Sequence, residues 1–168
     1  MAGFLISSLI KTAAQFPDKP LLVYEGRSLT SSQFLNEVKC CASFLQKNDF
    51  KKGDVIFNAL GNTVEFCALL YAANALGVIV VPISTKIKTD GFTNLLNQLM
   101  PKLVLFDEDV QPFVKQLLPK EKRISLRLFA DYRAYDKLEL MEDDSIKGSD
   151  TAVIMFTSGT TSAPKGAV

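Results

Sequence analysis

Histidine is absent from the 168-residue chain, and cysteine occurs only three times. Without histidine the sequence lacks the most common general base and any Ser-His catalytic triad. Cys40, Cys41 and Cys67 form no Cys-x-x-Cys pair and lie in apolar segments with helical periodicity, so neither a zinc site nor a disulfide framework is expected. The simpler interpretation is buried, reduced thiols in a cytoplasmic protein. Any chemistry must therefore use lysine, hydroxyls, carboxylates or the backbone.

The chain also lacks long apolar runs and a strong net charge. No apolar segment is long enough to span a bilayer, and the apolar residues 1–6 lack the basic flank of a signal peptide, which predicts an amphipathic helix instead. The net charge is +1, which argues against a nucleic-acid partner. Hydrophobic residues make up 48% of the chain and charged residues 22%, as expected for a globular protein with a core of its own.

Apolar runs of strand length alternate with segments of helical periodicity along the chain. A hairpin is predicted at residues 21–30, and further strands at 55–60, 78–81, 103–106, 124–129 and 152–156. Helices are predicted from Phe4 to before Pro17 and at residues 31–48, 63–76, 92–100 and 110–118. Apolar strands that alternate with helices indicate an α/β fold with a mainly parallel sheet flanked by helices.

Polar residues at the predicted helix starts serve as caps. Thr30 and Gln33 have the spacing of a capping box, Asn62 is the predicted cap of the following helix with Glu65 at its third position, and Asp109 is the predicted cap of residues 110–118.

Residues 131–150 are polar and predicted to form a solvated linker. A metal site was considered for its carboxylates, but their spacing matches no calcium loop; they are Glu139, Glu142, Asp143 and Asp144.

The stretch at residues 157–166 carries the features of a phosphate-binding loop. It follows the apolar run 152–156 and contains four hydroxyl residues, two glycines and Lys165. A buried strand that leads into such groups delivers donors to the rim of a sheet, where open α/β folds bind ligands. Gly159 and Lys165 are spaced as in G-x-x-x-x-G-K-[ST], but Pro164 replaces the second glycine and Gly166 the magnesium-binding hydroxyl. The loop is therefore not that of a P-loop NTPase.

A different signature fits this stretch. Phe156 through Gly166 resembles the phosphate-binding motif of the adenylate-forming enzymes, with Ser162 in place of the more common glycine. Two earlier segments are also similar to that family: residues 17–30, in which the family usually continues with Tyr where this chain has Ser31, and the turn at residues 51–55. The alternative is a surface loop of Ser, Thr and Gly that binds no ligand.

The resemblance implies that residues 1–168 are the N-terminal fragment of the AMP-binding domain, ending just after the phosphate loop and without the C-terminal domain. It also implies a parent ligase that uses ATP and Mg²⁺ to activate a carboxylate, a fatty or aryl acid, as an acyl-adenylate and then passes the acyl group to CoA or a carrier thiol. The residues expected to hold the ATP phosphates are Thr157, Ser158, Gly159, Thr160, Thr161 and Lys165.

Family members are much longer and carry the adenine site, the magnesium ligand and the catalytic lysine beyond this point. The fragment alone is therefore expected to hold no catalytic residue, metal site or cofactor and to be inactive. Two alternatives remain. The first is a non-catalytic folded domain that forms a homodimer through an exposed edge or an apolar face. The second, a free-standing nucleotide-binding module, would lack an adenine pocket.

Overall fold

The computed structural model describes residues 4–140, 145–156 and 166–167. The described helices are α1 (Phe4–Gln15), α2 (Ser31–Lys47), α3 (Val64–Ala75), α4 (Thr89–Leu99), α5 (Val114–Leu117) and α6 (Leu126–Phe129). The described strands are β1 (Pro20–Tyr24), β2 (Arg27–Thr30), β3 (Val55–Ala59), β4 (Ile79–Pro82), β5 (Leu103–Phe106), β6 (Arg123–Ser125), β7 (Met155–Phe156) and β8 (Gly166–Ala167). Short 3₁₀ helices cover Lys120–Lys122 and Ala130–Ala134.

The central sheet is parallel, which confirms the predicted fold class. Its strand order is β4-β3-β5-β6, and each neighbouring pair is parallel. Helices α1, α2 and α3 cover one face, where Ile56 and Val80 meet Leu45 and Ala72 in one buried cluster. Helices α4 and α5 cover the other face around Phe57. Because both faces are covered, the strands consist of nearly continuous apolar residues.

The N-terminal hairpin and the start of α2 follow the predictions from sequence. Strands β1 and β2 pair antiparallel across a turn in which Glu25 and Gly26 have φ angles of 48° and 74°, as a tight two-residue hairpin turn requires. The Thr30 hydroxyl accepts from the Gln33 amide at 3.3 Å, and the Gln33 side chain accepts from the Thr30 amide at 2.9 Å. The predicted capping box is thus confirmed.

The segment before the predicted phosphate loop adds to the outer edge of the sheet. The Val80 amide donates to the carbonyl of Ala152, and the Ile154 amide donates to the carbonyl of Val80, both at 3.0 Å. Val153 therefore forms a parallel bridge with Val80. The prediction of a buried strand is wrong in one respect: residues 151–154 are half-buried and Met155 is 61% exposed, because an edge position has a neighbour on one side only.

Two predicted elements differ in type or length. The strand predicted at 124–129 ends at Ser125 and continues as helix α6, because a helical turn brings Leu126 and Phe129 to the core and leaves Leu128 64% exposed. The helix predicted at 110–118 is only the four-residue α5. The Asp109 amide donates to the Asp107 carboxylate at 3.0 Å in a turn before the helix, so Asp109 is not its cap.

The cap of α3 and the predicted linker also require correction. Thr63, not Asn62, is the N-cap: its hydroxyl accepts from the Phe66 amide at 3.1 Å. Residues 131–150 are not a solvated linker where the structure describes them, because Tyr132 is 1% and Ile146 4% exposed. The predicted carboxylates Glu142, Asp143 and Asp144 lie outside the described residues.

Clusters of metal-ligating side chains and membrane-spanning helices are both absent from the part of the chain that the structure describes. No group of three or more acidic, cysteine or histidine side chains is placed to hold a metal ion within residues 4–140, 145–156 and 166–167. In the same residues, no helix has the length and apolar character needed to cross a bilayer.

Candidate functional site

The residues on either side of the predicted phosphate loop lie at the carboxyl end of the sheet. The segment 152–154 runs parallel to β4, so its continuation emerges where β4 ends at Pro82. Beyond it, β7 pairs antiparallel with β8, with Met155 opposite Ala167 and Phe156 opposite Gly166. Phe156 and Gly166, which flank residues 157–165 in the sequence, are therefore neighbours. This is the edge at which the motif was expected to act.

An open cleft lies at the same edge. It has a volume of about 380 Å³ and is bounded by the loop after β3, the loop after β4, the start of α3 and Met155. Its lining residues are Gly61, Asn62, Phe66, Pro82, Ile83, Ser84, Thr85 and Met155. None of these side chains carries an ionisable group. The described part of the cleft can therefore bind and orient a ligand, but it offers no acid, base or charged nucleophile.

The two loops of the cleft approach closely at a glycine. Gly61 has a φ of 68°, and a Cβ at this position would meet the Thr85 methyl carbon at 3.4 Å. A side chain there would combine a strained backbone with a tight contact. Gly61 also leads directly into Thr63, the cap of α3. The N-terminal end of a twelve-residue helix thus borders the cleft, and its partial positive charge favours anionic groups nearby.

Buried amides join the elements around the cleft. The Asn58 side-chain NH₂, in β3, donates to the Phe66 carbonyl at 3.3 Å, and the Gln111 side-chain NH₂ donates to the Ser84 carbonyl at 3.4 Å. Both side chains are fully buried. The Ser84 hydroxyl in turn accepts from the Lys86 amide at 3.2 Å. The Asn58 contact thus joins β3 to α3, and the Gln111 and Lys86 contacts hold the loop after β4.

The residues predicted to bind phosphate, namely Thr157, Ser158, Gly159, Thr160, Thr161 and Lys165, lie outside the described residues. Their assignment stays a prediction, although the positions of their neighbours are known. Sequence reasoning missed the cleft residues Gly61, Asn62, Ser84 and Thr85. A signal for them existed, because small and polar residues directly follow β3 and β4, and the carboxyl ends of parallel strands share one edge.

A second, more polar groove lies between the hairpin and the starts of α2 and α3, with a volume of about 440 Å³. Three of its charged groups, Arg133, Glu37 and Glu65, bind one another. The Arg133 guanidinium contacts Glu37 and Glu65, each at 2.7 Å, and the Tyr132 hydroxyl also donates to Glu37. Burial and the Glu37 carboxylate raise the pKa of Tyr132. We interpret this network as a link between α2, α3 and residues 130–134.

The cysteine thiols are not activated. Cys41 is completely buried, and burial raises its pKa well above the ordinary range of a thiol. Burial also raises the pKa values of Cys40 and Cys67. A reactive cysteine would instead have a lowered pKa. Cys40 and Cys41 are buried, as predicted from the sequence, whereas Cys67 is half-buried.

The parallel sheet with helices on both faces, together with the signature in the sequence at residues 156–166, points to the domain of an AMP-binding enzyme. Residues 9–168 match the family model of the AMP-binding enzymes, and the chain therefore belongs to that family.

Similar proteins include a long-chain-fatty-acid–CoA ligase, FadD13 of Mycobacterium tuberculosis, which is 31% identical over 134 residues. That match covers 76% of this chain and 27% of the ligase. The inhibitor-bound N-terminal domain of FACL13 from the same organism has a TM-score of 0.85 at 26% identity, with 99% of this chain and 44% of that one covered.

A third relative is the o-succinylbenzoate CoA synthetase MenE of Bacillus subtilis, solved with its acyl-adenylate intermediate. It has a TM-score of 0.72 at 26% identity, and the match covers 94% of this chain and 32% of that one. The chain thus spans between 27% and 44% of the length of these relatives. The fold confirms that it corresponds to the N-terminal part of their large domain.

Proposed function

We propose that the complete protein carrying this N-terminal portion is an ATP-dependent acid–thiol ligase. It activates a carboxylic acid, from the fatty or aryl class, as an acyl-adenylate and then transfers the acyl group to CoA or a carrier thiol. The observation that carries the proposal is the signature at residues 156–166, whose two ends are paired at the carboxyl edge of the sheet. The ligase relatives, one of them bound to an acyl-adenylate, support the reaction class.

The proposed roles follow from the chemistry of the loop. The hydroxyls of Thr157, Ser158, Thr160 and Thr161 and the backbone at Gly159 hold the β- and γ-phosphates of ATP, and Lys165 provides a point charge. The substrate carboxylate then attacks the α-phosphate. Such a phosphoryl transfer depends mainly on positioning and electrostatic stabilisation. That need fits a chain without histidine and a cleft lined by neutral groups.

Several groups needed for the complete reaction are proposed to lie elsewhere in the protein. Mg²⁺ would neutralise charge on the ATP phosphates, but none of the described residues forms a candidate cluster for it. Because the chain spans 27% of the FadD13 ligase, we propose that residues 1–168 alone form no acyl-adenylate. We also propose that the protein is cytoplasmic, in keeping with its three free thiols, of which Cys40 and Cys41 are buried.

The test is a Lys165→Ala substitution in the complete enzyme, with carboxylate-dependent pyrophosphate–ATP exchange as the readout. Loss of a charge-assisted contact to phosphate costs about 1.5–3 kcal/mol, or roughly ten- to more than a hundredfold in kcat/KM for ATP. We expect a mixed effect on kcat and on the KM for ATP, because pyrophosphate gains charge as it leaves. The KM for the carboxylate should change little.

Lys120→Ala is the matched control, since Lys120 is an exposed lysine of a 3₁₀ helix away from the cleft. It should leave all parameters unchanged. A Lys165→Ala enzyme with normal ATP parameters, or one impaired only toward the carboxylate, would contradict the assigned role. Exchange above background by residues 1–168 alone would contradict the proposed inactivity of the fragment.

A second candidate function is a non-catalytic domain that dimerises through its hairpin. The observation that favours it is the apolar surface of β1, where Leu21 is 43% and Val23 71% exposed. Sedimentation equilibrium of the wild type and of Val23→Lys would test it. A dimer that Val23→Lys dissociates would support this function, whereas a monomeric wild type would exclude it.

A further inference from the structure

We propose that Lys52 is a positioning residue for the predicted phosphate loop. It acts through Asp150, which precedes residues 152–156, whereas the predicted loop follows them. The proposal rests on the proposed ligase function for its consequence, but its structural part stands on contacts between described residues. The Lys52 ammonium lies 2.6 Å from the Asp150 carboxylate and 2.5 Å from the Ser145 carbonyl oxygen. Lys52 thereby joins the turn before β3 to the segment that enters residues 152–156.

The segment that Lys52 holds is a closed turn. The Asp150 carboxylate accepts from the Lys147 amide at 2.7 Å, and the Asp150 amide donates to the Lys147 carbonyl at 3.0 Å. Ile146, 4% exposed, anchors the turn from inside. The bond from Lys52, followed by that from the Lys147 amide, lowers the pKa of the Asp150 carboxyl. The carboxylate therefore joins its own turn and the Lys52 side chain at once.

The Lys52 side chain packs directly against the backbone of Gly77. A Cβ at Gly77 would meet the Lys52 Cγ at 2.9 Å and its Cβ at 3.2 Å. The same Cβ would meet the Ile146 Cγ1 at 3.4 Å. The Gly53 amide also donates to the Gly77 carbonyl at 2.8 Å. The absence of a side chain at Gly77 thus lets the turn before β3, the start of β4 and the 145–150 turn pack together.

This anchor matters because the segment that it precedes has hydrogen bonds to the central sheet on one side only, although Ile154 also packs against the core around Phe57. Residues 152–154 occupy the outer edge of the sheet and bond to β4 through the two amides of Val80 and Ile154. A slip of one residue along β4 would move the loop by about 3.3 Å and exchange the two faces of the strand. A fixed point at Asp150 prevents that slip. It thereby fixes the position of the segment from which residues 157–165, with their hydroxyls and lysine, continue.

The structural test is amide hydrogen exchange on the 168-residue chain, comparing Lys52→Met with Lys51→Met. Lys51 is the adjacent lysine and is exposed, so its substitution changes the net charge equally without touching Asp150. In Lys52→Met we expect protection of the Ile154 amide to fall about three- to tenfold, while that of Phe57 in β3 is unchanged. Lys52→Arg should restore most of the protection.

Asp150→Asn is a second variant, because an amide can still accept from Lys147 but loses the charge that attracts Lys52. It should lower the protection of the Ile154 amide as Lys52→Met does. The double variant should lose little more protection than either single variant. Equal protection in Lys52→Met and Lys51→Met would overturn the proposal. So would an equal loss at Ile154 and Phe57, since that would indicate a change in overall stability alone.

The functional arm uses the complete enzyme. Lys52→Met should raise the KM for ATP or lower kcat in pyrophosphate exchange about three- to tenfold, with the KM for the carboxylate unchanged, and Lys51→Met should match the wild type. Altered exchange at Ile154 with unaltered ATP kinetics would overturn the positioning role. If the wild-type enzyme showed no ligase activity, the proposed function would fail, while the hydrogen-exchange result would still decide whether Lys52 holds the strand.

Discussion

Substitution of Arg133 by methionine should destabilise the fold through the loss of one bridging cation. The Arg133 guanidinium contacts Glu37 on α2 and Glu65 on α3, each at 2.7 Å. These carboxylate side chains are only 19% and 16% exposed, whereas that of Arg133 is 39% exposed. Methionine keeps much of the aliphatic volume but removes the charge and both bonds. Two poorly solvated carboxylates would then face each other without their shared partner.

The expected magnitude follows from these exposures. Breaking a fully buried ion pair by removing one partner costs about 3–5 kcal/mol, whereas an exposed pair contributes about 0–1 kcal/mol. Arg133 lies between these cases, and Glu37 retains the Tyr132 hydroxyl as a donor. We therefore expect a loss of about 1–3 kcal/mol in the free energy of unfolding. In a domain of this size that lowers Tm by roughly 2–4 °C per kcal/mol.

The assay is urea unfolding monitored by circular dichroism, with Arg127→Met as the matched control. The Arg127 side chain is 80% exposed, and its Nε lies 4.0 Å from the Glu108 carboxylate, at the outer limit of an ion pair. The same substitution there should therefore cost less than about 0.5 kcal/mol. A second change, Glu65→Gln, should recover part of the loss because it removes the unpaired charge. A cost for Arg133→Met no larger than that of Arg127→Met would refute the bridging role.

Two further predictions concern α3 and the thiols. Thr63→Ala should cost about 1 kcal/mol of stability and Asn62→Ala much less, measured by urea unfolding, because only the Thr63 hydroxyl accepts from the Phe66 amide; equal costs would contradict the cap assignment. Cys41 should resist a thiol reagent at pH 8 in the native state and react fully in denaturant. Since burial raises the thiol pKa values in the folded state, the unfolded chain ionises first, and stability should decline above about pH 8.5. Cys41→Ala should flatten that decline, and an unchanged slope would contradict the assignment.

Local sequence patterns were sufficient where the interacting residues are neighbours in the chain. The capping box of Thr30 and Gln33 and the apolar strands β3, β4 and β5 were predicted because cap spacing and apolar runs are local signals. Residues 126–129 show the limit of such signals. By periodicity alone, a short apolar segment is compatible with either a strand or a helix. The helix forms because it buries Phe129 in the cluster with residues of α1, α2 and α3.

Contacts between distant residues could not be predicted in the same way. Asn62 and Thr63 are both good cap residues, and the choice depends on the turn at Gly61, which has a positive φ beside Thr85. Arg133 and Lys52 bind carboxylates far along the chain. The polarity of residues 131–150 therefore predicts a linker, because the distant contacts that bury Tyr132 and Ile146 leave no local signal. The hypothesis of a phosphate loop rests on residue types alone and stays a prediction, whereas the cleft depends on strand order.

The strand order explains why the open cleft lies where it does. In an open parallel sheet the usual ligand crevice is the point where successive connections leave in opposite directions, which here falls between β3 and β5. That crevice is filled: Leu60 after β3 is 2% exposed, and Gln111 after β5 is fully buried and reaches the Ser84 carbonyl beyond β4. The remaining opening lies between the loops after β3 and β4. Because residues 152–154 join the sheet outside β4, the chain brings the residues that flank its predicted phosphate-binding motif to the side that is still open.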